Sequence, residues 1–390
     1  MSRVDVAVVG AGVVGLSAAL LAAQQGLQVA VVEAHEPKAW QHNQPDLRVY
    51  ALALDSQNLF EKMGLWQEIK SRRAQPYQCM TVFDEVQGSP LHFRASELGQ
   101  SYLGHIVENN VLVNVLWQAA QQEPRIRMYC PDKIQSIDHH SDEVQLGLMS
   151  GAEISAKLAI GADGANSKVR DLLGIETQVH DYQQKALVAF IKTELPHQHT
   201  AWQRFLSTGP LAFLPFDEHV CSIVWTLPND RADELMQFDS SEFCRNLESA
   251  FAGTLGVCEL ISERIAFPLQ RRLAKTMLQE RTLLLGDAAH AVHPLAGQGV
   301  NLGLRDIQQL QQVWLKAKAG NTDLLALPAL QRWARQRYSD NAMSAYAFEN
   351  INRIFSNDNF ALSMLRGPLL GLGDKIAPLK NALARYAAGV

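Results

Sequence analysis

The sequence predicts an α/β protein: a doubly wound dinucleotide-binding domain, interrupted by an antiparallel-sheet domain and followed by a helical C-terminal tail. Three observations carry this. A glycine-rich loop, Gly10-Ala11-Gly12-Val13-Val14-Gly15, joins a β-branched run at 4–9 to an Ala- and Leu-rich helix at 16–25. A middle block of short strand-like runs with turn residues between them then breaks the βα alternation. Beyond Asn301 the chain reads as helix.

In chain order, Gly26 ends the first helix, and 28–32 reads as a second buried parallel strand closing on Glu33, so residues 4–33 form a βαβ unit. Gly10 allows the tight turn, Gly12 lets the backbone approach a pyrophosphate, and Gly15 lets helix and strand pack closely, with Ala19 keeping that contact small. Glu33 lies about 20 residues downstream, where a carboxylate accepts bonds from an adenosine ribose. Runs at 79–83, 186–194, 201–206, 211–216 and 220–227 suggest the antiparallel sheet; 111–121 reads as helix and 156–160 as a buried strand leading into Gly161. Helices follow at 302–317 and at 329–355, the latter with Pro328 at its start. The tail, 360–390, contains Gly367-Pro368 and Gly371-Leu372-Gly373, which break it into short helices.

Two further segments look like loops lined by bare backbone. Gly161-Ala162-Asp163-Gly164-Ala165-Asn166-Ser167 follows a strand and precedes a helix, a pattern that a plain Asp-Gly turn with a capped helix also explains. The other is His293-Pro294-Leu295-Ala296-Gly297-Gln298-Gly299-Val300-Asn301-Leu302-Gly303, placed after the apolar run 282–285 and the pair Gly286-Asp287. It describes a strand that ends in a loop and restarts as a helix, whose N–H groups can face a polar ring. His290 and His293 invite a metal reading, but no Cys or third His lies near and Pro294 with three glycines forms a loop, so no metal site is expected.

With 390 residues, 47% of them hydrophobic, the chain can bury one large core or two modest ones. A formal charge of −5, with no long Lys/Arg runs, leaves no electrostatic footprint for nucleic acid. Cys79, Cys130, Cys221, Cys244 and Cys258 contain no CxxC, and their odd number argues against a complete disulfide framework. A reducing cytoplasm is therefore the expected location, in agreement with an N-terminus that runs straight into a strand. No stretch approaches the roughly 20 apolar residues of a membrane span. A GxSxG elbow is also absent, so the difficult chemistry is expected to belong to a cofactor.

Together the three glycine-bearing segments resemble the aromatic-ring hydroxylase class of FAD monooxygenases, and within it the ubiquinone-biosynthesis hydroxylase family. The match to the family signature is unbroken over 293–306. The resemblance covers nearly the whole chain, including Leu103-Gly104-His105-Ile106-Val107-Glu108-Asn109, Leu211-Ala212-Phe213-Leu214-Pro215 and Cys221-Ser222-Ile223-Val224-Trp225, which are most similar to the 2-polyprenylphenol hydroxylase branch acting at ring carbon 5. Sister branches acting at carbon 1 or 6 differ little in these motifs. The resemblance implies an FAD-binding domain at 1–75, 100–178 and 268–345, a substrate domain at 76–99 and 179–267, and a C-terminal helical region at 346–390. It implies that Asp163 holds the FAD-binding backbone, that Arg170 contacts a nicotinamide, that Gly286 and Asp287 form the motif binding the flavin ribityl hydroxyls, and that Pro294, Gly297, Gln298, Gly299 and Asn301 lie along the isoalloxazine. Arg48 resembles the Arg that reaches the FAD phosphates, a solvated loop Arg being the other reading, and Asn109 lies where relatives carry a flavin-bonding polar residue, although a helix N-cap explains it equally. The implied reaction uses reduced FAD, with NAD(P)H or another reductant as electron donor, to activate O2 and place one oxygen atom on a phenol ring.

The substrate would be a hydrophobic polyprenylphenol. Phe213 and Pro215, with Leu211, alternate to one face of their run, and Trp225, with Cys221 and Ile223, to one face of the next; these faces either line a prenyl tunnel beside His293 or are ordinary core. In the tail, Ile376, Leu379 and Leu383 recur at helical spacing beside Lys375, Lys380 and Arg385. That pattern fits contact with an anionic membrane surface, so a position peripheral to the inner membrane; packing on the protein's own core or docking to a quinone-biosynthesis multi-enzyme assembly are the other readings. A flavin dehydrogenase or quinone reductase, and a non-catalytic FAD-binding member of an assembly, remain the alternatives to a monooxygenase.

Overall fold

Short β-branched runs that are apolar on both faces can be satisfied only inside a covered parallel sheet. In the computed structural model, which describes residues 2–85, 90–292 and 299–355, they do this. Ile126–Tyr129, Val29–Val32, Ser2–Val9, Glu153–Gly161 and Thr282–Leu284 lie side by side in that order, all parallel. The register aligns their C-terminal ends: Val9 pairs with Val32 and Gly161, Val32 with Tyr129, and Gly161 with Leu284. Gly10, Glu33, Ala162 and Leu285 therefore all leave the sheet at one edge, where the strand order reverses and open α/β sheets take their ligands.

The 79–83 to 220–227 runs join a nine-stranded second sheet in which Thr177–Thr193, Val220–Pro228, Gly209–Asp217 and Thr200–Leu206 are consecutive antiparallel neighbours. Cys79–Asp84 departs from the expected pattern and runs parallel to Thr200–Leu206. A second departure is at the expected domain boundary of 268. Ile265–Ala274 remains in this sheet, paired along Thr177–Thr193, and the chain re-enters the first sheet only at Leu278–Gln279. Pro268 hides this strand in the sequence. It sits beside a register shift in the ladder, where a missing N–H is tolerated.

Helices Asn229–Gln237 and Ser240–Ala250, the second capped by Asp239 and neither singled out from the sequence, cover one face of the second sheet. Leu211, Phe213, Ile223 and Trp225 are buried there against Leu235, Phe243, Leu247 and Phe251, with the Phe213 and Phe251 rings stacked 3.9 Å apart. The alternate residues Ala212, Leu214 and Phe216 face the other way, toward Ala51 and Ile106 of the strands Val49–Ala53 and Gly104–Glu108. The tunnel face expected from the sequence is thus corrected. Phe213 and Trp225 are core under the two helices, Pro215 is a buried strand residue of the same parity, and the opposite face packs on a small sheet formed by Val49–Ala53, Gly104–Glu108 and Gln75–Tyr77.

No helix of the described residues is long and apolar enough to cross a membrane. The tail residues at 356–390, including Lys375, Ile376, Leu379, Lys380, Leu383 and Arg385, lie outside the described residues, as do His293, Pro294, Gly297 and Gln298.

One buried group makes stability depend on pH. The His105 ring is enclosed edge-on by Trp66 and Tyr102, 4.9 and 4.5 Å away, and burial, aided by Lys70, pushes its pKa from 6.5 down to about 4. Between these values the unfolded chain binds a proton that the folded chain refuses. Stability is complete above pH 6.5 and falls, by on the order of 3 kcal/mol, as pH drops toward 4. Thermal melts across this range should show the slope in the native protein and a flatter acid limb in His105→Gln; an unchanged slope would assign the acid sensitivity to another group.

Candidate functional site

At the shared strand edge lies a cavity of about 670 Å³. It runs from Glu33, Asp132, Lys133 and Met149 at one end to Asp287, Gly299 and Val300 at the other.

The first glycine loop forms one wall. Gly10 adopts φ +101°, and a Cβ there would sit 2.4 Å from the Ala162 carbonyl oxygen; a Cβ on Gly15 would lie 1.9 Å from the Gly10 carbonyl oxygen. Both positions therefore exclude any side chain, and the helix Val13–Gln24 packs tightly onto the strand. Gly12 differs, because a Cβ there would meet nothing within 4 Å: the space in front of this helix N-terminus is open cavity, suited to an anion. Glu33 holds the loop. Its carboxylate accepts from the Ala11 amide at 2.6 Å and the His35 amide at 3.1 Å, and each oxygen keeps a lone pair for a sugar hydroxyl.

Asp163 anchors the second wall. Its carboxylate accepts from the Ser167 hydroxyl at 2.5 Å and the Val169 amide at 3.0 Å, which fixes the turn into helix Lys168–Leu172 while Asp163 and Gly164 line the cavity. Arg170 is not free to meet a nicotinamide. It is buried and donates to the Ala288 carbonyl at 3.1 Å and the Ala165 carbonyl at 3.0 Å, tying this turn to the next wall.

That wall is the turn Gly286–Ala288. Gly286 adopts φ +56° against Val14, and it sends the Asp287 carboxylate into the cavity, where no described residue donates a hydrogen bond to it. Asp287 is accessible from the cavity, yet the protein crowded around it still raises its pKa by desolvation, while His290 and Arg48 pull it down. An acidic acceptor with no protein donor, facing a cavity, fits a ligand rich in hydroxyl groups.

Arg48 and Asn109 reach the same cavity from the loop before Val49–Ala53 and from the start of helix Asn109–Gln122. The Tyr50 phenol, then Asp287 and Asp46, raise the Arg48 pKa. Tyr50 itself is pushed up to about 12, chiefly by burial, and its hydroxyl donates to Asn109 Oδ1 at 3.1 Å. Asn109 does not cap its helix; Asp46 does so from outside, accepting from the Asn110 amide at 3.1 Å.

Asn301 corrects an expectation. Its side chain is fully buried away from the cavity, accepting from the Ala53 amide and the Ser56 hydroxyl and donating to the Ala51 carbonyl, so it clamps Val49–Ala53 to helix Gly299–Ala319. Gly299 does line the cavity. His290 is taken up by Asp306, 2.6 Å away. Tyr50, Asp132, Lys133, Ile134, Met149, Asn166 and Lys168 line the cavity without having been singled out from the sequence. Lys133 and Ile134 lead into the strand Ile134–His139 and Met149 follows Val144–Leu148, and the position of these two strands depends on pairing to Glu153–Gly161.

The residues present therefore fit a dinucleotide: an open helix N-terminus in the middle, a ribose acceptor at one end and a polyol acceptor at the other. Comparison with known proteins agrees. Residues 3–326 match the family described as FAD binding domain. The chain is 35% identical to 3-demethoxyubiquinol 3-hydroxylase of Escherichia coli over 99% of its own length and 98% of the relative's, and 32% identical to ubiquinone hydroxylase UbiL of Rhodospirillum rubrum over 99% and 89%. Among solved structures, p-nitrophenol 4-monooxygenase PnpA of Pseudomonas putida DLL-E4 has the same fold, with a TM-score of 0.80 at 19% identity, covering 98% of this chain and 97% of that one. A cavity built for FAD and similarity along the whole chain lead to one conclusion: this protein is an FAD-dependent aromatic-ring hydroxylase and belongs to the ubiquinone-biosynthesis hydroxylase family.

Proposed function

We propose that this enzyme hydroxylates the ring of a polyprenylated phenol in ubiquinone biosynthesis. The observation that carries the reading is the 35% identity to a ubiquinol-ring hydroxylase along both whole chains. FAD, reduced by NAD(P)H, supplies the activation of O2 and the transfer of one oxygen atom to the ring. The chain's own residues bind and orient it. Glu33 accepts from the adenosine ribose, the helix behind Gly12 faces the pyrophosphate with Arg48 nearby, and Asp287 accepts from the ribityl hydroxyls. We place the ring of the substrate next to the part of the cavity lined by Tyr50, on the side where Val49–Ala53 packs against the apolar face of Ala212, Leu214, Phe216 and Val224. Incorporation of labelled oxygen from O2 into a prenylphenol tests the reading, since a quinone reductase would consume NAD(P)H and substrate without incorporating it.

Two ring positions have specific support. The stretches around Leu103, Leu211 and Cys221 point to the 2-polyprenylphenol branch and carbon 5. The similarity to 3-demethoxyubiquinol 3-hydroxylase favours a later, more substituted ring. The intermediate that accumulates in a strain lacking this protein decides between them: a 2-polyprenylphenol for the first, a demethoxyubiquinol for the second. Because either substrate is a lipid, we also propose that the basic and apolar tail residues meet an anionic membrane surface. A chain ending at Phe355 should then float less with anionic vesicles than the full chain, and equal flotation would remove the tail from this role.

A further inference from the structure

Asp306 closes the segment that carries the family signature, and its carboxylate is completely buried. Four donors converge on it: the Gly286 amide at 3.1 Å, His290 Nε2 at 2.6 Å, Arg337 Nε at 2.9 Å and Asn341 Nδ2 at 3.0 Å. A buried carboxylate persists in its charged form only with such a set. Burial alone would raise the Asp306 pKa, but His290, Arg337 and Asn341 bring it down to about 2.

The donors come from two places. Gly286 and His290 flank the turn that carries Asp287 into the cavity, and Gly286 holds φ +56°, one of several conformations open to glycine, so the bond from its amide to Asp306 helps to select it. Arg337 and Asn341 come from the helix Leu327–Phe355, where Arg337 Nη2 also donates to Asn341 Oδ1 at 2.6 Å and Trp333 Nε1 donates to the Asp306 carbonyl at 3.3 Å. No described residue of this helix lines the cavity, and the helix lies beyond residue 326, where the FAD-binding match ends.

We propose that Asp306 is a positioning residue that makes the helix Leu327–Phe355 a working part of the cofactor site. Arg337 and Asn341 fix the Asp306 carboxylate, the carboxylate fixes the Gly286 amide and His290, and the turn between them sets the direction of Asp287. The inference rests on the reading that Asp287 holds the ribityl chain.

The test is an FAD titration of the deflavinated full-length protein, followed by flavin fluorescence, together with melting temperatures of the flavin-free forms. Asn341→Ala removes one donor and leaves the ion pair; Arg337→Gln removes the charge. Each should weaken FAD binding, Asn341→Ala by about tenfold, with a larger effect for Arg337→Gln. If Arg337→Gln does not fold, Asn341→Ala carries the test alone. In an Asp287→Ala background the Asn341→Ala effect should shrink toward none, because both changes act on one contact. Unchanged FAD affinity with a lowered flavin-free melting temperature would reduce Asp306 to core packing and overturn the proposal. Additive effects would overturn it too. If Asp287→Ala binds FAD normally while Asn341→Ala does not, the assignment of Asp287 falls and the helix's hold on the cofactor site stands.

Discussion

Asp287→Ala should lose FAD while keeping its fold. The side chain is directed into the cavity and makes no hydrogen bond to any described residue, so its removal leaves no protein donor unpaired. What is lost is a charged acceptor for two ribityl hydroxyls. At about 1.5–3 kcal/mol per charge-assisted bond, the dissociation constant should rise by about a hundredfold or more. Purified Asp287→Ala is expected to be colourless or to release flavin on gel filtration, with far-ultraviolet circular dichroism like that of the native protein. Asp287→Asn, which keeps the shape and one acceptor oxygen, should fall between the two. Native flavin content in the alanine variant would remove Asp287 from the site.

The second large effect separates the two faces of the substrate sheet. Trp225 is 3% exposed and packs with Phe243 under the helices Asn229–Gln237 and Ser240–Ala250. Trp225→Glu would place an unpaired carboxylate there, at a cost of several kcal/mol, or about 3 to 5 units of raised pKa. The variant should therefore be insoluble or melt far below the native protein, losing flavin and turnover together. Val224, its neighbour, is half-buried and lies on the opposite face, opposite Ala212 in the ladder. Val224→Trp enlarges a half-buried side chain on this face and should bind FAD normally while raising the KM or abolishing turnover with a prenylphenol. Normal turnover of Val224→Trp would place the substrate elsewhere; a well-folded Trp225→Glu with native FAD would return the tunnel to the face under the helices.

These two residues show how far sequence reasoning reaches. Alternation along 211–216 and 220–227 separates Phe213 and Trp225 from Leu214 and Val224 but cannot say which set faces the cofactor, because both are apolar. The decision belongs to helices Asn229–Gln237 and Ser240–Ala250, which cover one face after the sheet has formed. Asn301 is a similar case. An Asn at a helix start beside a glycine loop suits a flavin contact, yet its amide is used by Ala51, Ala53 and Ser56, roughly 250 residues earlier in the chain.

By itself the sequence determined what depends on local backbone: the βαβ opening, the glycines that admit no side chain at positions 10 and 15, the carboxylate at the end of the second strand and the Gly286-Asp287 turn. Turn geometry and side-chain-free contacts are written in consecutive residues, so a short motif suffices to announce them. Only the tertiary structure decided which face of the second sheet meets the cofactor domain, that Arg170 and Asn301 are internal ties, and that Arg337 and Asn341 bear on the Asp287 turn through Asp306. Those outcomes are pairings of buried polar and apolar groups far apart in the chain, and each is set by which partner remains available once the core has closed.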